Sequence, residues 1–360
     1  MKKLYQMRKW KLHSQKHSLY KAKKRKQWKA YRKAKNQRQN SQESKKQKRI
    51  DSTAKFETVK APTTFSLIEN PEEFITFIDT VRNAFLNNQN NGILIESTDI
   101  ERITPDAVMV LISKLMDPKF TNEKACYGTF PKNEAALTIL LNSSFHRYVT
   151  FSQSLQVKED GLIIEKTENI VDSEMLKEIR KFTSRKVYGD EDRRHLAELK
   201  TIYRVYQELM GNTVEHGKGK DSSETNRESW WTSVYCGRDS NRAEFSFVDN
   251  GVGIFESGIE LSLKNKIEVF ISNLTQRSLF DRTNADILMD ILTGKLKNVS
   301  RTNQANRGLG LWRVFREFEK KGISNLIVIT NDAFANLSTK ECRKLHNKFN
   351  GTFFYWEYQS

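Results

Sequence analysis

The charge of this chain is concentrated at one end. Met1–Ile50 carries 20 of the 61 Lys and Arg residues against a single acid, Glu43, so the +17 net charge arises almost wholly from the first fifty residues. Such a segment buries too little apolar surface to offset the entropy lost on ordering. A packed fold must therefore be built from the rest of the 360 residues, where bases and acids nearly balance. That length suffices for two cores after an arm, and the pattern divides it into 1–55, 60–155 and 165–360.

Trp10, Tyr20, Trp28 and Tyr31 are interleaved with the bases, and the last three would share a side if the arm became helical. The cluster Lys23, Lys24, Arg25, Lys26, Trp28 and Arg32 offers cations for phosphates and a ring for stacking. DNA or RNA is the expected partner of residues 1–50. If about eight of the cations meet phosphates, log K should fall with log salt at a slope of roughly −7 on duplex DNA. A solvated tail, an acidic membrane surface and ribosomal RNA are the competing readings. Lys outnumbers Arg in the arm, which argues against a mitochondrial transit peptide.

Residues 60–155 alternate helical and strand patterns. Phe74, Ile75, Ile78, Val81 and Phe85 have helix spacing, Ile93–Glu96 reads as a strand, and Ala107–Met116 is an apolar helix after Thr104-Pro105-Asp106. Ala125–Gly128 suggests a further strand and Ala135–Phe145 a further helix. A small α/β unit is expected.

Three separated pieces stand out in the C-terminal half. In the first, a helical pattern over Leu196–Val214 places Glu208 and Asn212 four residues apart on one side. A carboxylate is thereby set beside an amide oxygen, and Mg²⁺ takes oxygen ligands of that kind together with phosphates. In the second, Arg242–Val248 alternates as a strand and ends at Asp249, followed by Gly251 and Gly253. The carboxylate can accept a hydrogen bond from an exocyclic amine, and the glycines permit close backbone approach. In the third, Arg307, Gly308, Leu309 and Gly310 lead into a helix whose first amides can bind phosphate. No Lys-Ser/Thr follows them, which excludes a Walker loop. Taken singly, the pieces read equally as a polar helix stripe, a turn and a glycine bend.

Together, in this order, they resemble the GHKL superfamily of ATPases, which contains DNA gyrase, heat-shock chaperones, histidine kinases and MutL. Glu208 and Asn212 match its N box, Asp249, Gly251 and Gly253 its first glycine box, and Gly308 and Gly310 its second. The His216-Gly217 ending is most similar to that of the anti-sigma-factor serine kinases. The resemblance covers roughly residues 165–358. It implies a GHKL (Bergerat) α/β sandwich, with a mixed sheet and helices on one face, binding ATP and Mg²⁺. It also implies Asn212 on the metal, Glu208 as general base, Asp249 on adenine, Gly308–Gly310 at the phosphates and Thr352 near the adenine. A lid would span about 255–305, with helical segments around Glu260–Leu274 and Ala285–Leu296. Arg301 and Arg307 are its candidate phosphate clamps. The 60–155 unit is similar to STAS domains, with Asp99-Ile100 and Thr104–Ala107 at their signature loop. Their phospho-accepting Ser falls near Pro105 or Asp106 here, with Thr104 the nearest hydroxyl.

His195 lacks the surroundings of a sensor kinase's phospho-accepting His and is expected as an exposed helix residue. The Lys-bearing transducer domain of gyrase and MutL is not found up to Ser360, which argues against efficient hydrolysis by this stretch alone. No run of about 18 apolar residues and no hydrophobic leader is seen, which points to a cytoplasmic or nucleoid-associated protein without a membrane span. Cys126, Cys236 and Cys342 have no metal-ligand spacing and read as free thiols. The expected function is an ATP-dependent conformational switch with slow hydrolysis, acting as a regulator or defence-type effector on nucleic acid. A partner protein on the STAS-like unit and a second copy of the chain are further expected partners. A serine/threonine protein kinase of anti-sigma type and a non-catalytic, nucleotide-gated adaptor are the alternatives.

Overall fold

The computed structural model describes residues 56–87, 91–143, 145, 149–151, 161–166, 173–216, 230–237, 241–255, 282–295, 310–319 and 323–360. The basic arm and, of the lid expected at about 255–305, residues 256–281 and 296–305 therefore lie outside the described residues, as do residues 306–309. So do Arg301, Arg307, Gly308, Leu309 and the arm residues Lys23, Lys24, Arg25, Lys26, Trp28 and Arg32. Lys55–Ser360 forms one compact unit.

Its N-terminal half is a parallel sheet with helices. β1 (Phe56–Lys60), β3 (Gly92–Glu96), β5 (Ala125–Gly128) and β6 (Thr150–Phe151) lie in that order, every pair parallel, while β2 (Thr64–Phe65) and β4 (Arg102–Ile103) form a separate parallel pair. Helix α1 (Pro71–Leu86) starts with Pro71 in its first turn and Glu72 and Glu73 beside its positive end. Its Phe74, Ile75, Ile78, Val81 and Phe85 are all buried, as their spacing predicts. Helix α2 (Pro105–Leu115) is buried at every position, including Lys114. The short α3 (Pro118–Thr121) and α4 (Glu134–Asn142) complete this half, each capped by an Asp or Asn side chain, Asp117 and Asn133.

The C-terminal half holds β7 (Gly161–Lys166), α5 (Ser173–Val187), α6 (Arg193–Glu198), α7 (Lys200–His216), β8 (Trp230–Tyr235) and β9 (Arg242–Asp249). After these come α8 (Asn284–Leu292), α9 (Gly310–Phe318), β10 (Ile323–Asn336) and β11 (Glu341–Gln359). The five strands are ordered β10-β11-β9-β8-β7. Every described pair is antiparallel, where a mixed sheet is the expectation; parallel pairing is confined to the N-terminal half. The short connections β8–β9 and β10–β11 are hairpins, which impose antiparallel pairing. The architecture is thus mixed α/β, with parallel and antiparallel sheets.

Strand alternation gives the antiparallel sheet two apolar faces. On one, Phe245, Phe247 and Trp356 pack with Tyr206 and Leu209 of α7, Leu288 of α8 and Val314 of α9. Tyr206 is anchored by its hydroxyl, 2.7 Å from Thr232 Oγ1. On the other, Trp231, Val248, Phe349, Phe353 and Tyr355 share a core with α1 and α2. Helices are expected on one face of this sheet; the second face is covered as well, by the N-terminal half.

Two local expectations are corrected. The helix expected over Leu196–Val214 is broken at Leu199, between α6 and α7, where α6's backbone carbonyls at Ala197 and His195 accept Leu199 N–H. His195, expected as exposed, is only 26 % exposed. Its ring stacks on Tyr188 at 4.1 Å and its Nδ1 lies 2.7 Å from Asp190 Oδ1.

Candidate functional site

The second motif piece forms the centre of the site. Asp249 ends β9 between two neighbours in register, Thr352 on β11 and Trp230 on β8. Its Oδ1 accepts Gly251 N–H at 3.0 Å, which turns the chain sharply after the strand. Burial pushes the carboxyl up to about 6, against the opposing pull of the Gly251 N–H, the Lys114 ammonium and the Thr352 hydroxyl and N–H. Thr352 is itself buried, with its hydroxyl 3.4 Å from that of Thr330. Gly351, ahead of it, has φ +114, and a Cβ there would stand 2.1 Å from the Asp249 carbonyl oxygen. Only glycine allows β11 and the end of β9 to come this close.

The loop after Asp249 is held from β10. Thr330 Oγ1 accepts Ile254 N–H at 3.0 Å and donates to the Gly351 carbonyl at 3.1 Å. Asn331 Oδ1 accepts Phe255 N–H at 3.1 Å, and its Nδ2 donates to the Val252 carbonyl at 3.0 Å. Asn331 reaches this position because its own backbone is left-handed, φ +51, beside a register shift in the β10–β11 pairing. Gly253 is left-handed too, with φ +81. Ile254 and Phe255 then enter the core that contains α7, α8 and α9.

The first and third pieces meet through their helices. Leu209 and Met210 of α7 and Val314 of α9 belong to the same core as Ile254 and Phe255, so one apolar layer carries the ends of all three pieces. Across this helix pair Arg313 Nη1 stands 3.7 Å from Glu208 Oε1, and Arg204 Nη1 stands 3.7 Å from Glu317 Oε1. Asn212 Nδ2 is buried without a hydrogen-bond partner in the protein. Turning that amide over would bring its oxygen to the same place, and the two arrangements are alike in shape. Gly310 is the first residue of α9. Among the described residues no group of three or more His, Cys, Asp or Glu side chains is arranged to hold a metal.

Four residues that shape this site were not singled out in the sequence: Thr330, Asn331, Arg313 and Lys114. Lys114 left a trace there as the lone cation of a mostly apolar helix, and Asn331 as a polar pair with Asp332 inside a long β run. Thr330 and Arg313 left none.

Elsewhere, a concavity of about 510 Å³ lies between the halves, lined by Glu69, Arg102, Thr104, Arg242, Glu244 and Glu357 among others, and Glu208, Asn212, Asp249 and Thr352 are not part of its lining. Thr104 Oγ1 is buried. Cys126, Cys236 and Cys342 are unbridged. Among the described residues no helix is long and apolar enough to cross a membrane. Neither a protein-family model nor a curated protein sequence matches this chain.

Proposed function

We propose that the chain binds ATP with Mg²⁺ at the end of β9 in the manner of the GHKL (Bergerat) fold, and that nucleotide state sets its conformation. The observation that carries this reading is Asp249. A half-buried carboxylate, held by the N–H of its own glycine loop and flanked by Thr352, ends the middle strand of a sheet whose helix layer contains the helices of the other two motif pieces. A half-buried acceptor of this kind favours a donor such as the adenine exocyclic amine, which would meet acceptor capacity that Gly251 and Thr352 leave over.

In this reading Asn212 supplies an oxygen to Mg²⁺, and the amides of Gly308–Gly310 meet the phosphates at the start of α9. The metal, when bound, neutralises phosphate charge. Glu208 accepts the proton of the attacking group, a water in hydrolysis, while Arg313 holds its carboxylate in place. With water, the oxygen–phosphorus bond forms at the γ-phosphorus, the bond to the β–γ bridging oxygen breaks, and ADP and phosphate leave. The N-terminal half is the STAS-like regulatory unit and residues 1–50 the nucleic-acid arm.

Calorimetric titration with ATP and Mg²⁺ tests the reading. The wild type should bind, and Asp249→Asn should lose roughly ten- to a hundred-fold in affinity. Absence of binding by the wild type, or equal binding by Asp249→Asn, overturns it. The fate of γ-labelled phosphate then separates hydrolysis, transfer to a protein and simple gating.

A further inference from the structure

We infer that Lys114, which belongs to the N-terminal half, is a positioning residue for the nucleotide site, coupling the packing of α2 to the purine-reading end of β9. The inference rests on the adenine-nucleotide reading above and adds its regulation.

Burying an ammonium is costly unless it is paired and hydrogen-bonded. Lys114 is 7 % exposed and is the only cation on α2, a helix buried along its whole length. Its Nζ donates to Asn250 Oδ1 at 2.8 Å and to the Asn350 carbonyl at 2.9 Å. Asn250 directly follows Asp249, and Asn350 precedes the Gly351-Thr352 pair that closes on it. One side chain from the first half thus ties together the two backbone segments that form the Asp249 pocket. The Nζ also lies 5.4 Å from the centre of the Phe349 ring.

The charged groups facing the ammonium come from three elements: Asp117 beyond the end of α2, Asp79 and Arg82 on α1, and Asp249 at the end of β9. Burial lowers Lys114 to about 8, and the same ammonium is among the groups that restrain the rise of Asp249. A lysine serving only as a core filler would need neither contact with Asn250 nor the company of Asp249. Any ligand or partner that shifts α2 would move this cation relative to both.

The sign of the effect follows from charge. Removing the ammonium leaves the Asp249 carboxylate with less compensation, so it should take up its proton at higher pH. Nucleotide affinity, which needs the carboxylate as acceptor, should then fade at higher pH on the acid side. The experiment measures ATP affinity from pH 5 to 9 for the wild type, Lys114→Met, Lys114→Gln and Lys114→Arg, with thermal melts to establish folding. Lys114→Met and Lys114→Gln should both move the acid midpoint up by about one pH unit. Lys114→Arg, which keeps the charge, should leave it in place. A lower affinity with an unmoved midpoint would make Lys114 structural only and sink the inference, while the site reading would stand. If the wild type binds no nucleotide, the site reading fails. The Asp249 carboxyl resonance, assigned with Asp249→Asn, then decides the electrostatic coupling: an equal midpoint in wild type and Lys114→Gln overturns it, and a raised one in the variant upholds it.

Discussion

Gly253 lies so close to Asn331 that an added Cβ would stand 2.4 Å from Asn331 Oδ1, on a backbone already at φ +81. Both the space and the conformation at this position belong to glycine. Gly253→Ala must push Asn331 away from the Phe255 N–H and the Val252 carbonyl that it holds. The left-handed cost alone is roughly 1–2 kcal/mol. The expected outcome is a lower urea midpoint together with at least tenfold weaker ATP binding, because the displaced segment directly follows Asp249.

Asn331 offers the complementary test. Asn331→Gly keeps the left-handed backbone free of strain and removes only the side chain, whereas Asn331→Ala adds strain at φ +51. Loss of the side chain leaves a buried N–H and a buried carbonyl without their partner, which costs about 1–3 kcal/mol. Asn331→Ala should be the less stable of the two by roughly 1 kcal/mol, measured by urea unfolding. Equal stability would mean that the strand relaxes at this bulge.

The Glu208–Arg313 pair separates stability from turnover. The two side chains are 30 % and 46 % exposed and 3.7 Å apart, so the pair adds less than about 1 kcal/mol to folding. Glu208→Ala should abolish phosphate release while ATP affinity stays within about threefold, the signature of a group used only in the reacting complex. Arg313→Ala should slow release with little change in the unfolding midpoint. If Glu208→Ala hydrolyses ATP normally, the general-base role is wrong.

Much of this organisation could be read from the residues, and the reasons differ by element. The alternation of Phe245 and Phe247 with Glu244, Ser246 and Val248 marked a strand, but not that both of its faces are covered; the sheet sends Phe245 and Phe247 to one core and Val248 to the other. The spacing of Phe74, Ile75, Ile78, Val81 and Phe85 marked α1 because a single stripe faces one core. The break at Leu199 was not visible, since the apolar spacing runs on through it while the backbone does not. The covering of the second sheet face by α2 was also hidden. A helix this rich in apolar residues states that it is buried, and says nothing about the surface that buries it. For the same reason the roles of Lys114 and Asn331 emerge only when distant segments meet, at Asn250 and at Val252.

Buried Asp106 and half-buried Glu244 give the chain a stability that falls as pH rises. Burial pushes Asp106 up to about 6 and Glu244 to about 7, against Arg242 on the latter. Both exceed their unfolded values, so between pH 4 and 7 the folded chain holds protons that the unfolded chain has released, and stability declines across that window. Lys114 acts in the opposite sense at higher pH: lowered to about 8, it is neutral in the fold while the unfolded side chain is still charged, so stability recovers from about pH 8 to 10. Urea midpoints should therefore pass through a minimum near pH 7–8. Glu244→Gln, which removes one of the ionisations, should flatten the descending limb, and a limb unchanged in that variant would assign it to other groups.

The arm is tested by its salt dependence. Deleting Met1–Lys48 removes 19 of the 61 Lys and Arg residues. Nucleic-acid binding by the full chain should weaken with salt at a log–log slope of roughly −7 on duplex DNA, if about eight phosphates are neutralised. The truncated chain should lose that binding while its ATP affinity is unchanged, because Asp249, Asn212 and Thr352 all lie within Lys55–Ser360. Retained binding with the same slope would place the nucleic-acid surface on the folded unit instead. A slope near zero in the full chain, with binding lost on truncation, would mean contacts to bases or rings, in which case Trp28→Ala in the full chain should be the more damaging change than Lys24→Ala.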